Sequence, residues 1–128
     1  MLAIKSNMHV NTREAIADAV RAPYVALAHY DARALCSDFT PAASRQLARN
    51  VSRRPSCQAR VAEAFAASVR FEPPLSILVK KAMVTKIKWR GKRASALLAY
   101  RGADPASEVR LTLQEMGDRW RVATQPRI

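Results

Sequence analysis

Two hydrophobic periodicities divide this chain into halves at Pro73-Pro74. Before the two prolines, apolar residues recur at the three- and four-residue spacing of amphipathic helices. After them, apolar and polar positions alternate, most clearly where Val109, Leu111 and Leu113 are separated by polar residues. The pattern predicts helices first and antiparallel strands afterwards, which is an α+β fold.

Four helices are predicted in the first half. The first begins at Asn11, because Asn11 and Glu14 have the spacing of a capping box. Pro23 is expected to kink or divide it. Asp31 caps a short second helix over Ala32–Cys36. The positions of the first helix that are predicted to face inward are Ile16, Val20, Tyr24, Leu27 and Tyr30.

The third and fourth helices are each marked by a hydroxyl side chain at the N-cap. Thr40, followed by Pro41, predicts a third helix that extends to about Asn50. Ser56 predicts the start of the fourth. The buried positions predicted in these two helices are Ala43, Leu47 and Val51, then Cys57, Val61, Ala64, Phe65, Ser68 and Val69.

Three or four strands are predicted in the second half. The first covers residues 76–89, and its inward set changes parity near Lys80-Lys81, moving to Met83, Ile87 and Trp89, which indicates a bulge or bend. The others cover Arg93–Arg101, Ser107–Met116 and, after the turn at Gly117-Asp118, a short run ending near Val122. Short turns of this kind predict an antiparallel meander.

The chain is strongly basic, with 22 Lys and Arg against 10 Asp and Glu and a formal net charge of +12. The excess lies mainly in residues 75–128, which hold 12 of the cations and 4 of the acids. Alternation places it on the solvent face of the sheet. Such a face is either a solvated surface or a site for an anion such as nucleic acid, although no nucleic-acid-reading motif accompanies it. Its predicted members are Lys86, Lys88, Arg110, Arg119 and Arg121.

The two cysteines, Cys36 and Cys57, both lie in the helical half. Cys36 ends a helix beside a core leucine, and Cys57 faces inward in the first turn of another. The residues leave two alternatives open: a disulfide that closes a loop of separation 21, or two buried free thiols.

The order of these pieces resembles the nuclear-transport-factor-2-like superfamily, the cystatin-like cone shared with SnoaL-like cyclases and ketosteroid isomerases. The likeness rests on Tyr24–Asp31, Ala34–Pro41 and the closing hairpin Leu111–Val122, and it covers about Asn11 to Thr124. Within the superfamily the chain is most similar to secreted or lipid-anchored bacterial members. Those members often pair a cysteine after helix two with one that opens a later helix, which implies a Cys36–Cys57 disulfide.

The resemblance implies N-terminal helices packed on a bent antiparallel sheet of three to four strands, with a cavity between them. Superfamily members also dimerise through the convex sheet face. In this chain a dimer of that kind would bring Arg110, Arg119 and Arg121 of one copy against the same arginines of the other. Monomer and homodimer therefore both remain as alternatives. The pocket residues expected from the inward pattern are Tyr24, Phe65, Met83, Leu98, Tyr100, Leu113 and Trp120.

Catalytic residues are sparse. An isomerase of this superfamily needs a carboxylate base and a donor to the oxyanion, for which Asp38 and Tyr24 are the weak candidates. His29 is expected on the outward side of its helix. No metal-ligand cluster and no glycine-rich phosphate loop is present in the sequence, so no cofactor or metal is predicted.

Three functions follow as hypotheses. The leading one is a non-catalytic binding domain whose apolar pocket holds a small hydrophobic ligand or is filled by its own side chains. The second is a small-molecule isomerase, dehydratase or cyclase that uses Tyr24 and Asp38. The third is an anion- or nucleic-acid-binding surface on the basic sheet face.

The predicted organisation is one domain over residues 11–124, with tails at 1–10 and 125–128. No apolar run reaches the roughly 18 residues of a membrane span. The resemblance and the implied disulfide point to an exported protein whose leader is removed, with a cytoplasmic protein as the alternative.

Overall fold

The computed structural model describes residues 2–67, 82–100 and 109–124. It confirms the α+β order, with helices followed by a four-stranded antiparallel open sheet of order β1-β2-β3-β4. The elements are α1 (Leu2–Ala28), α2 (Ala32–Ser37), α3 (Pro41–Ser44), α4 (Cys57–Ala66), β1 (Ala82–Arg90), β2 (Arg93–Tyr100), β3 (Val109–Met116) and β4 (Arg119–Val122).

Helix α1 is longer than the sequence pattern predicts. It begins at Leu2 rather than at Asn11, and it continues through Pro23 without division. Residues 2–10 contain neither glycine nor proline, so nothing in them stops the helix, and Asn11 lies within it rather than at its start. The helix ends in a Schellman turn in which Tyr30 has φ +52° and the amide of Asp31 bonds the carbonyl of Ala26.

The helix packs across one side of the sheet and forms the core with it. Ile16 and Val20 are fully buried, and α1 contacts β1, β2 and β4. On its exposed edge, the guanidinium of Arg13 stacks over the ring of Trp89 at 5.4 Å. Tyr30, predicted to face inward, is instead 64% exposed, because the Schellman turn directs it out of the helix and its ring packs edge-on against Phe65.

The predicted length of the third helix is wrong, because the helix is shorter than expected. Thr40 caps α3 as expected, but α3 ends at Ser44, and residues 45–51 form turns in which Ala48 has φ +60°. These turns are held by Arg60 of α4, whose side chain is only 4% exposed and donates to five backbone carbonyls. The acceptors are Ser44, Arg45, Leu47, Arg54 and Pro55.

A disulfide joins Cys36 at the end of α2 to Cys57 at the start of α4. The sequence left two buried free thiols as the alternative, and the structure shows the disulfide.

Among the described helices, none combines the length and the apolar composition that a membrane span requires.

The first strand was predicted to contain an irregularity near Lys80-Lys81, and the described part of β1 contains a bulge. Residues 68–81, including Lys80-Lys81, are outside the described residues, and the bulge falls between Thr85 and Lys88. Lys86 and Ile87 together oppose Ala96, and Lys86 has φ +52°. The extra residue keeps Val84, Ile87 and Trp89 against the core.

Candidate functional site

The side chains predicted to line an apolar pocket are mostly part of the packed core. Leu98, Leu113 and Trp120 are 4%, 2% and 6% exposed, and Tyr24 and Phe65 pack against the same cluster. One predicted pocket residue, among those whose side chains are described, does not join them. Met83 pairs with Ala99 and is 46% exposed, because the bulge puts Val84 rather than Met83 on the core side. The side chain of Tyr100 lies outside those described.

A broad open groove of about 520 Å³ runs between α1 and the β3–β4 turn. Its floor is small and apolar, with Ala15, Ala19 and Ala22, and Trp120 at one end. Its rim carries the carboxylates Asp18, Glu115 and Asp118 together with Arg119 and Thr12. The groove thus combines an alanine floor with an acidic rim on a protein that is otherwise basic.

Asp38 is buried beside β4 and is paired with a cation. Its side chain is 8% exposed and accepts a 3.0 Å hydrogen bond from Nη2 of Arg119. Burial raises the pKa of this carboxyl, an effect that hydrogen bonding and attraction from Arg119 oppose. The residue also ends α2 as its C-cap, while Thr40 rather than Asp38 caps α3.

The two candidate catalytic groups have different surroundings. Tyr24 packs against the core on the helix side of the sheet. Asp38 faces Arg119 and Arg121, which alternate along β4 with the core residues Trp120 and Val122. His29 is exposed, and its Nδ1 lies 2.9 Å from the carbonyl oxygen of Val25 in its own helix.

The side of the sheet away from α1 is the outer face, and the strand register aligns cations across it. Arg90, Arg93, Gln114 and Arg121 form one row across all four strands. The next row holds Lys88, Ser95 and Thr112, and the third holds Thr85, Leu97 and Arg110. Lys86 lines a cleft on this face, and Arg119, at the edge beside the β3–β4 turn, also borders the groove along α1. Among the described residues the outer face thus carries seven cations: Lys86, Lys88, Arg90, Arg93, Arg110, Arg119 and Arg121.

Apart from Arg119, which pairs with Asp38, these cations have no ion-pair partner among the described residues. All are exposed except Arg121, which is half-buried. Asp38 is the one carboxylate that the described residues bring to this face, and it is already bonded to Arg119. The Nε of Arg121 is buried and has no hydrogen-bond partner within the described part of the chain. The outer face therefore carries a large uncompensated positive charge.

All five cations predicted from the sequence lie on the outer face, and the structure adds Arg90 and Arg93. These two flank the tight β1–β2 turn at Gly91: the sequence pattern assigns Arg90 to the turn and Arg93 to the start of the second strand, and it includes neither in the basic face. The alternation Lys86, Lys88, Arg90 was the signal that could have identified the first of them.

The β1 bulge forms a small cleft within the outer face. The cleft measures about 40 Å³ and is lined by Lys86, Lys88, Ser95 and Arg110, with Ala96 and Leu97 as its apolar floor. Three cations and a hydroxyl thus converge on one depression. Within the described ranges, no group of three or more His, Cys, Asp or Glu side chains is placed to hold a metal ion.

Comparisons of the chain with protein families, with curated proteins and with solved structures find no match.

Proposed function

We propose that this protein is a non-catalytic binding domain of the nuclear-transport-factor-2-like type, with an interior filled by its own side chains. Its ligand is the phosphate backbone of duplex nucleic acid, bound on the outer face. The observation that carries the proposal is the register that aligns seven cations on one side of the sheet.

The chemistry of the face favours phosphate. Five of its seven cations are arginines, whose planar guanidinium donates two parallel hydrogen bonds to a phosphate. Thr85, Ser95 and Thr112 add hydroxyl donors between them. Adjacent strands lie about 4.8 Å apart, so the row from Arg90 to Arg121 spans roughly 14 Å. That width suits several phosphates at once.

The same face argues against other polyanions and against a second copy of the chain. Single-stranded nucleic acid is bound largely by stacking on aromatic rings, and the described residues of the outer face include none. Membrane-binding faces place several large apolar side chains in the lipid, whereas Met83 is the one exposed large apolar side chain among the described residues of the outer face. A symmetric dimer through this face would press like charges together.

The packed core supports a binding role over an enzymatic one. The predicted pocket residues Leu98, Leu113 and Trp120 are all buried in the same hydrophobic core cluster. The alternative, an isomerase or dehydratase that uses Tyr24 and Asp38, requires a base free to face a substrate. Asp38 instead accepts from Arg119.

We also propose that the protein is exported and works outside the reducing cytoplasm, a proposal supported by the Cys36–Cys57 disulfide.

The test measures the binding of a fluorescently labelled DNA duplex over a series of salt concentrations. We expect the logarithm of the binding constant to fall linearly with the logarithm of salt, with a slope of about −0.9 for each phosphate contacted. Arg93→Glu with Arg110→Glu should abolish binding. Arg33→Glu with Arg49→Glu is the matched control, because both residues are exposed cations of the helical half.

The proposal fails if the wild-type protein binds no duplex, or if the control pair weakens binding as much as the outer-face pair. Preference for anionic lipid vesicles over the duplex would assign the face to a membrane instead.

A further inference from the structure

The bulge in β1 holds a lysine in a backbone conformation that lysine avoids. Lys86 has φ +52°, in the left-handed region where glycine is customary. Strained residues of this kind concentrate where a side chain is held for a ligand. Nothing in the packing of the core calls for a lysine here, because its side chain is exposed.

The conformation has a direct effect on side-chain placement. In a regular strand Lys86 and Ile87 would alternate across the sheet, and the residues after them would follow in register with β2. The bulge inserts one residue, so that Thr85 pairs with Leu97 while Lys88 pairs with Ser95. Lys86 and Lys88 consequently line the same cleft, together with Arg110 of β3 and Ser95 of β2.

We infer that this cleft is a discrete seat for one phosphate group, formed by Lys86, Lys88, Arg110 and Ser95. Its volume of about 40 Å³ exceeds the roughly 15 Å³ that one water needs and is too small for a nucleoside. The two ammonium groups and the guanidinium donate to the phosphate oxygens, and the serine hydroxyl supplies a neutral donor. The inference rests on the proposed function, since the seat fixes the position of one backbone phosphate on the outer face.

The first experiment titrates isotopically labelled protein with inorganic phosphate and follows amide chemical shifts. The expected result is saturable shifts confined to residues 85–88, 95–97 and 110. Lys86→Asn removes the charge with a residue that tolerates left-handed φ, and it should weaken phosphate binding about tenfold. Lys86→Arg keeps the positive charge and should bind phosphate about as tightly as wild type. Lys92→Asn, which removes an exposed lysine of the β1–β2 turn, is the matched control and should change nothing.

The second experiment repeats the duplex titration with Lys86→Asn. Loss of one phosphate contact should weaken binding and make the salt slope shallower by about one. Small, non-saturating shifts spread evenly over the outer face would overturn the seat while leaving duplex binding intact. Saturable phosphate binding at the cleft with no duplex binding would retain the seat and overturn the proposed function.

Discussion

Arg119 donates a 3.0 Å hydrogen bond to the carboxylate of Asp38, a residue 81 positions earlier in the chain. The two segments are also joined through the backbone, because the amide of Val122 bonds the carbonyl of Asp38 and the amide of Thr40 bonds the carbonyl of Val122. Residues 38–40 thus extend the sheet beside β4 through one parallel bridge at Phe39. The contact fixes the exit of α2 to the last strand.

Asp38 gives the protein a pH-dependent stability. Burial raises the pKa of its carboxyl above that of an unfolded aspartate, despite Arg119. Its contribution to stability is therefore complete below the unfolded pKa and declines as pH rises through the raised folded value. The asparagine of Asp38→Asn carries no charge at any pH. We therefore expect the stability of this variant, relative to wild type, to increase as pH rises from the unfolded pKa of aspartate through the raised folded pKa. Urea unfolding at successive pH values measures this difference. If the stability of the variant relative to wild type instead falls as pH rises, the ion pair with Arg119 outweighs the effect of burial.

Arg60 should be among the most sensitive positions for stability. It is 4% exposed and satisfies five carbonyls of the 44–55 segment. Arg60→Met leaves these carbonyls without their donor and should lower the free energy of unfolding by about 3–5 kcal/mol. Arg60→Lys should lose part of this, because an ammonium has three donors in place of five. Urea denaturation tests both, with Arg53→Met, an exposed neighbour, expected to stay within about 0.5 kcal/mol of wild type.

Removal of the disulfide should destabilise the helical half. The bridge spans 21 residues and ties α2 to α4. Cys36→Ala with Cys57→Ala should lower the free energy of unfolding by about 3 kcal/mol, chiefly by freeing the unfolded chain. Chemical denaturation with and without a reductant measures the loss. Wild type should fall to the level of the double variant under reduction, while the double variant itself should not respond.

We expect Lys86 to lower the stability of the fold while it contributes to phosphate binding. Lys86→Gly relieves the left-handed backbone and should raise the free energy of unfolding by about 1 kcal/mol, even though it removes a cation of the phosphate seat. Lys88→Gly removes a neighbouring cation of the same cleft without that relief, so it should lower stability by roughly 0.5–1 kcal/mol. Thermal and urea unfolding compare the two. A loss of stability in Lys86→Gly would show that the lysine is not strained.

Much of the candidate face could be read from the sequence, because alternation in a strand assigns each side chain to one of two sides. Arg110, Arg119 and Arg121 were placed correctly for this reason. Arg90 was not, since it was assigned to the turn, and a turn residue and a strand residue look alike until the register is known. Arg93 was assigned to the second strand but was not counted in the basic face. Met83 was assigned to the wrong side because the position of a bulge is set by pairing with β2.

The sequence by itself determined the order of helices and strands, the caps at Asp31, Thr40 and Ser56, and the basic character of the sheet, since these depend on residues close together in the chain. The tertiary structure alone decided the disulfide, the ion pair of Asp38 with Arg119, the burial of Arg60 and the cleft at Lys86. Each of these joins segments whose separation along the chain carries no local signal, and each forms only when packing of the core brings those segments together.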